Sequence, residues 1–507
     1  MKKTSTHRAG KQINDARETG KTQKWNKCTE DPDEGERNMS GKKISDDKTK
    51  KDKKITNAWK KYDEKELKKV MDLSEDYRQF ISKCKTEREC VDEIVAQAEK
   101  NGYSNLCSVK SVKAGDRLYC VNKGKAVCLM VIGTEPLAAG MKILGAHIDS
   151  PRLDLKQNPL YEDTELAFFD THYYGGIKKY QWVTLPMAIH GVVCKKDGSI
   201  VKVVIGEDDN DPVVGISDLL IHLAQDQMEK KGNKIVEGED LNVLVGSMPL
   251  KDEEKEAVKA NVLRLISEKY GFEEDDFLSA ELEVVPAGKA RDYGLDRSMI
   301  IGYGQDDRIC AYTSARALFN CKKTDRTAMC ILVDKEEIGS VGATGMTSFF
   351  FENMIAELLD KQGDYSELNV RRALANSHML SSDVSAAYDP NYPSVMEKKN
   401  CAYFSRGMSF NKFTGSRGKS GSNDANPEYI AKIRAALEKH NVTYQMSELG
   451  KVDQGGGGTI AYIMAKYNME VIDSGVALHN MHAPWEVASK ADIYETEKGY
   501  EAFLKEM

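Results

Sequence analysis

The sequence predicts an α/β fold with a mostly parallel central sheet, interrupted by an inserted β-rich domain. Three observations carry this. Short runs rich in β-branched residues, KAVCLMVIG (125–133), MKILGAHIDS (141–150) and TAMCILVDKEEIG (327–339), are continuously apolar, as strands covered on both faces are. Helix-like segments separate such runs, around ARALF (315–319) and over PEYIAKIRAALEKH (427–440). The stretch 157–285 differs, pairing strand-like WVTLPMAIHGVVCKKDGSIVKVVIG with the polar, helical KDEEKEAVKANVLRLISEKYGF.

In order along the 507 residues, positions 1–55 mix both charges with few aliphatic side chains. They cannot bury enough apolar surface to offset chain entropy, so a disordered, solvated extension is expected. Order is expected from Ala58. Leu67, Val70, Met71, Leu73, Tyr77, Phe80 and Ile81 recur at helical spacing and predict an amphipathic helix over 64–84. The strand–helix alternation predicts a body over 56–156 and 286–507, with 157–285 inserted between its halves. A net charge of −7 argues against a nucleic-acid partner. No stretch reaches the ~18 apolar residues of a membrane span, and no apolar signal segment opens the chain. The eleven cysteines are scattered without a CxxC and sit largely in apolar strings, which predicts free thiols and a cytoplasmic setting.

The ends of the apolar runs carry the chemistry. His147 and Asp149 follow one run, Asp306 and Asp307 follow a glycine-rich approach, Glu336 and Glu337 follow another strand, and Asp383 and His482 follow two more. In open α/β sheets ligands gather outside the carboxyl ends of the strands. Buried strands that deliver several carboxylates into one cleft need cations to pair with them. Three carboxylates (Asp306, Glu337, Asp383) and two imidazoles fit two divalent ions, Zn²⁺ by donor type, with Mn²⁺ or Co²⁺ as substitutes. Asp306 is the expected bridge, and Glu336, beside a ligand, is the expected general base. Asp149 either fixes the His147 imidazole or caps the turn before Pro151. Between His479 and His482 the residues alone do not choose. The run VDQGGGGTIAYI (452–463) lacks the context of a nucleotide loop; its glycines, Gly456 among them, predict a backbone close to the substrate.

AHIDSPR, GQDDR, DKEEIGS, SSDVSAAYDPNYP and NMHAPWE, in that order with a large insertion after the first, resemble the bacterial branch of the aspartyl aminopeptidase family of cocatalytic dizinc metallopeptidases. The resemblance spans about residues 56–507. It implies a zinc-peptidase-like catalytic domain, an inserted dimerisation domain, peptide substrates trimmed from the N-terminus, and a dodecamer built from dimers. It implies His147, Asp306, Glu337, Asp383 and His482 as ligands and Glu336 as base. Within SDLLIHLAQDQ (217–227) it implies His222 as an oxyanion donor supplied to a neighbouring subunit; a helix turning His222 toward its own core is the alternative. His172 in FFDTHYYGG is expected to pack at a domain interface. The family's substrate-side tyrosine is absent from GMSFNKFTGSRGKSGSNDA, which offers Lys412, Arg417 and Lys419 to a substrate side chain instead, so the preferred N-terminal residue stays open. A dizinc deacylase or carboxypeptidase, and a non-catalytic assembly protein with structural metals, are the competing readings.

Overall fold

The computed structural model describes residues 56–507, so the reading of the charged N-terminal extension lies outside the described residues. Asp63 caps the helix Glu64–Lys83 by accepting from the Glu66 amide, and Thr86 and Glu89 form a reciprocal capping box on Glu87–Lys100. The first helix spans the predicted 64–84 to within a residue.

A nine-stranded mixed sheet forms the centre. Its middle strands, Ala328–Val333, Lys142–His147, His378–Ser382 and Glu470–Gly475, run parallel to one another. Antiparallel pairings flank them, through Ala126–Val131 on one side and Met408–Asn411 on the other. Every residue of Ala126–Val131, Lys142–His147 and Ala328–Val333 is buried. Alternate side chains feed two cores: Leu144, Ala146, Cys330 and Leu332 pack with helices Gln305–Asn320 and Lys490–Glu506, whereas Ile143, Met329 and Ile331 pack with Phe350–Gln362. Both faces are therefore covered, which explains the continuously apolar sequence of these strands.

A six-stranded sheet is built wholly from residues 152–286, with every strand pair antiparallel and with a core of its own around Trp182, Phe169 and Phe277. A five-stranded sheet joins Arg291–Tyr293, Met299–Gly302, Glu486–Ser489, Ala477–His479 and Ser385–Ala386. Because the central strands are parallel and in register, with Val333 opposite His147 and Ser381 opposite Gly145, their carboxyl ends open on one edge.

Candidate metal centre

That edge gathers the donors. His147 is the last residue of its strand, Asp383 follows His378–Ser382, and Glu336 and Glu337 start a short turn just past Ala328–Val333. Asp306 lies at the start of Gln305–Asn320, and His482 lies beyond Ala477–His479. Asp306 sits between the two imidazoles: Oδ1 is 3.2 Å from His147 Nε2 and Oδ2 is 3.2 Å from His482 Nε2. Glu337 Oε2 approaches His482 Nε2 at 3.7 Å, and Glu336 Oε2 approaches His147 Nε2 at 3.9 Å. Donor atoms of His147, Asp306 and Asp383 all lie within 4.8 Å of one another, as do those of Asp306, Glu337 and His482. Two triads thus share one carboxylate.

The imidazoles are oriented from behind. His147 Nδ1 faces the Asp149 carbonyl at 3.0 Å, and His482 Nδ1 faces the Gly176 carbonyl at 2.9 Å, which leaves both Nε2 atoms for the centre. His479 instead directs Nε2 to the Tyr388 carbonyl at 3.1 Å and stacks on Phe404, which separates the two histidines the sequence left undecided. Asp149 accepts the Glu336 amide at 3.1 Å and the Glu337 amide at 3.2 Å, so it ties down the glutamate turn as well as flanking His147.

The charge pattern tests whether metals fit. Burial, reinforced by neighbouring carboxylates, holds Glu337 and Asp383 well above the usual carboxylate range and pushes Glu336 up to about 7. Burial opposes charge on His482 too, but Asp306 and Glu337 outweigh it and raise the imidazole to about 10. Burial alone would raise Asp306, yet hydrogen bonds from the two imidazoles hold it below its usual value. One oxygen of Glu337 and both of Asp307 are buried without a hydrogen-bond partner. Without cations the protons on the histidines supply the only positive charge among these acids; a donor set of this kind fits divalent metal.

A cavity of about 970 Å³ opens over the centre. Gly456, Gly457, Gly458 and Thr459 line it. Gly456 is required by the protein's own backbone, since a Cβ there would lie 2.6 Å from Ser416, whereas at Gly457 and Gly458 nothing lies within 4 Å. Beneath this loop the buried Asp473 accepts from Thr459 Oγ at 2.7 Å and from Ser381 Oγ at 3.1 Å. Burial pushes its carboxyl up to about 7, above the value of about 3.9 in an unfolded chain. The folded state then binds the proton more tightly, so this stability is complete at low pH and is lost as pH rises toward 7. Asp473→Asn is expected to remove that slope. Its melting temperature relative to the parent should rise between about pH 5.5 and about pH 8. An equal difference at both values would show an ordinary carboxylate.

Other expected residues lie elsewhere. Lys412 and Lys419 reach Asp424 at 3.6 and 2.9 Å, and neither they nor Arg417 line the cavity. His222 lies on a short turn, Ile221–Leu223, with Leu219, Leu220, Ile221 and Leu223 all more than half exposed, so the helix facing its own core is not formed. The turn is too short for an amphipathic face. His172 is exposed, stacks on Tyr173 and does not line the cavity. Its neighbours matter instead. Tyr174 donates to Asp149 at 2.7 Å, and Gly175 runs so close to Glu337 that a Cβ would lie 3.2 Å from Oε2. Sequence reasoning passed over these; the Gly-Gly pair ending an apolar strand was the available signal.

Residues 80–504 match the family model for aminopeptidase I zinc metalloprotease (M18). A probable M18 family aminopeptidase 1 of Clostridium acetobutylicum is 65% identical over 457 residues, covering 89% of this chain and 98% of the relative. The crystal structure of the M18 aminopeptidase from Thermotoga maritima superposes with a TM-score of 0.86 at 43% identity, over 89% of this chain and 99% of that one. The S. cerevisiae mApe1 dodecamer shares the fold at 20% identity and a TM-score of 0.68, over 86% of this chain and 97% of that one.

Proposed function

The chain belongs to the M18 family of aminopeptidase I zinc metalloproteases, and from that premise we propose that its aminopeptidase chemistry runs at a two-metal centre shared through Asp306. The carrying observation is Asp306 facing a different imidazole with each carboxylate oxygen, with Glu336 beside His147. His147, Asp306 and Asp383 would hold one ion, and Asp306, Glu337 and His482 the other. Zinc held by these residues would supply Lewis-acid polarisation of the scissile carbonyl and a water that is nucleophilic at neutral pH. Glu336 takes the proton from the attacking water and returns it to the leaving nitrogen as the C–N bond breaks, releasing an amino acid and a shortened peptide. Asp149 keeps the glutamate turn and His147 in place, and the acidic wall offers charge complementarity to the substrate's free amine.

The cavity supports a neutral or apolar N-terminal residue. Val384, Ala386, Met396, Leu449, Leu478 and Met481 line it, and Lys178 is the one lysine or arginine among the described residues that do. In a panel of aminoacyl amides assayed with Zn²⁺, Mn²⁺ and Co²⁺, kcat/KM for leucyl or methionyl substrates should exceed that for aspartyl ones by about tenfold or more. Preference for aspartyl would overturn the assignment, and hydrolysis of N-acyl amino acids alone would favour a deacylase.

Residues 56–156 and 286–507 are read as the catalytic body and 157–285 as an inserted, self-associating domain. Support comes from the separate core of the second sheet and from the exposed apolar stretch around His222, a surface soluble monomers seldom leave bare. On this reading the stretch meets a neighbouring copy and brings His222 to its cavity, in a dodecamer like that of the yeast relative. No described helix is long and apolar enough to cross a membrane, and the described cysteines are all free, which supports a cytoplasmic enzyme.

A further inference from the structure

The strand Leu166–Tyr174 belongs to the second sheet, yet its end reaches into the metal centre. Tyr174 donates its hydroxyl to Asp149 Oδ2 at 2.7 Å, and Gly176 O faces His482 Nδ1 at 2.9 Å. Asp149 is fully buried and saturated: besides the phenol it receives the amides of Glu336 and Glu337, and its Oδ1 lies 3.3 Å from His147 Nδ1. The phenol ring is itself clamped. The Arg152 guanidinium lies 3.8 Å from its centroid, held by Asp154 at 2.8 Å, Glu283 at 3.2 Å and Glu87 at 3.7 Å. The two successive amides of the glutamate turn hang on the carboxylate that this hydroxyl orients.

We propose that Tyr174 is a positioning residue: its hydroxyl sets the rotation of Asp149, and through Asp149 the placement of Glu336, Glu337 and His147. The second sheet thereby controls the geometry of a centre whose donors all come from outside it. This rests on the two-metal assignment above.

The test compares Tyr174→Phe with Tyr303→Phe in the full chain. Tyr303 is equally interior and donates to the Pro151 carbonyl at 3.0 Å, but makes no bond to Asp149. Zn²⁺ affinity is read by competition with a chromophoric chelator, and kcat, KM and melting temperature are read on reloaded protein. Tyr174→Phe is expected to weaken zinc binding by about 10–100-fold and, at full occupancy, to slow kcat by about tenfold with KM nearly unchanged. Tyr303→Phe is expected to lower the melting temperature while leaving affinity and kcat within about twofold. Tyr174→Phe with parental affinity and kcat overturns the proposal, as does Tyr303→Phe reproducing its losses. Should Tyr174→Phe be insoluble, Asp149→Asn, which keeps the side chain's shape but cannot accept from Tyr174 and both glutamate amides together, must weaken zinc binding, and unchanged affinity overturns the proposal. A parent chain that binds zinc without hydrolysing peptides would sink the two-metal aminopeptidase mechanism alone, since the affinity comparison would still judge Tyr174.

Discussion

Glu336→Gln is expected to lower kcat by about three decades with KM, metal content and melting temperature close to those of the parent. The substitution keeps the shape of the side chain and removes its ability to carry a proton. Glu336 contributes its amide, not its carboxylate, to Asp149, so the turn that also carries Glu337 should stay in place. Burial pushes Glu336 up and the adjacent imidazoles pull it down, which is the balance a proton carrier near neutrality needs. Elemental analysis alongside steady-state kinetics checks this. Near-parental turnover would remove Glu336 as the base, and loss of metal would recast it as a ligand.

Asp306→Asn should cost both ions, whereas His482→Ala should cost chiefly one. Asp306 is common to both donor triads, while His482 belongs to only one of them. Asparagine keeps one oxygen, carries no charge and offers an N–H₂ donor in place of the second oxygen, so the bridge between the two positions is lost. Bound metal stabilises the folded chain by roughly 2.7 kcal/mol at a hundred times its Kd, so chelating the parent should lower the melting temperature and abolish hydrolysis, with zinc restoring both. Asp306→Asn should be inactive and insensitive to the chelator. Stoichiometry by mass spectrometry under native conditions discriminates: two ions retained in Asp306→Asn would break the shared-carboxylate arrangement.

Much of this was legible in the sequence because parallel strands obey a simple rule. Continuous apolar runs mark strands covered on both faces, and parallel direction puts their carboxyl ends, hence His147, Glu337 and Asp383, on one edge. What stayed hidden depends on contacts between elements that no local pattern encodes. His482 rather than His479 faces the donors because its amide is held by Glu486 Oε1 at 2.9 Å with a positive φ, and because the Gly176 carbonyl, two residues past the strand Leu166–Tyr174, backs its ring. Tyr174 and Gly176 act across a sheet boundary, so attention to the chemically conspicuous His172 passed over them. Lys412 and Lys419 looked substrate-directed only until Asp424 was placed beside them.

The donors come from segments as far apart as His147 and His482, and Tyr500, Phe503 and Leu504 of the helix Lys490–Glu506 belong to the core that also holds Leu144, Ala146 and Leu478 beside them. Ions bound by so scattered a set are retained only while the whole body stays folded, so their release reports global opening rather than fraying of any one loop.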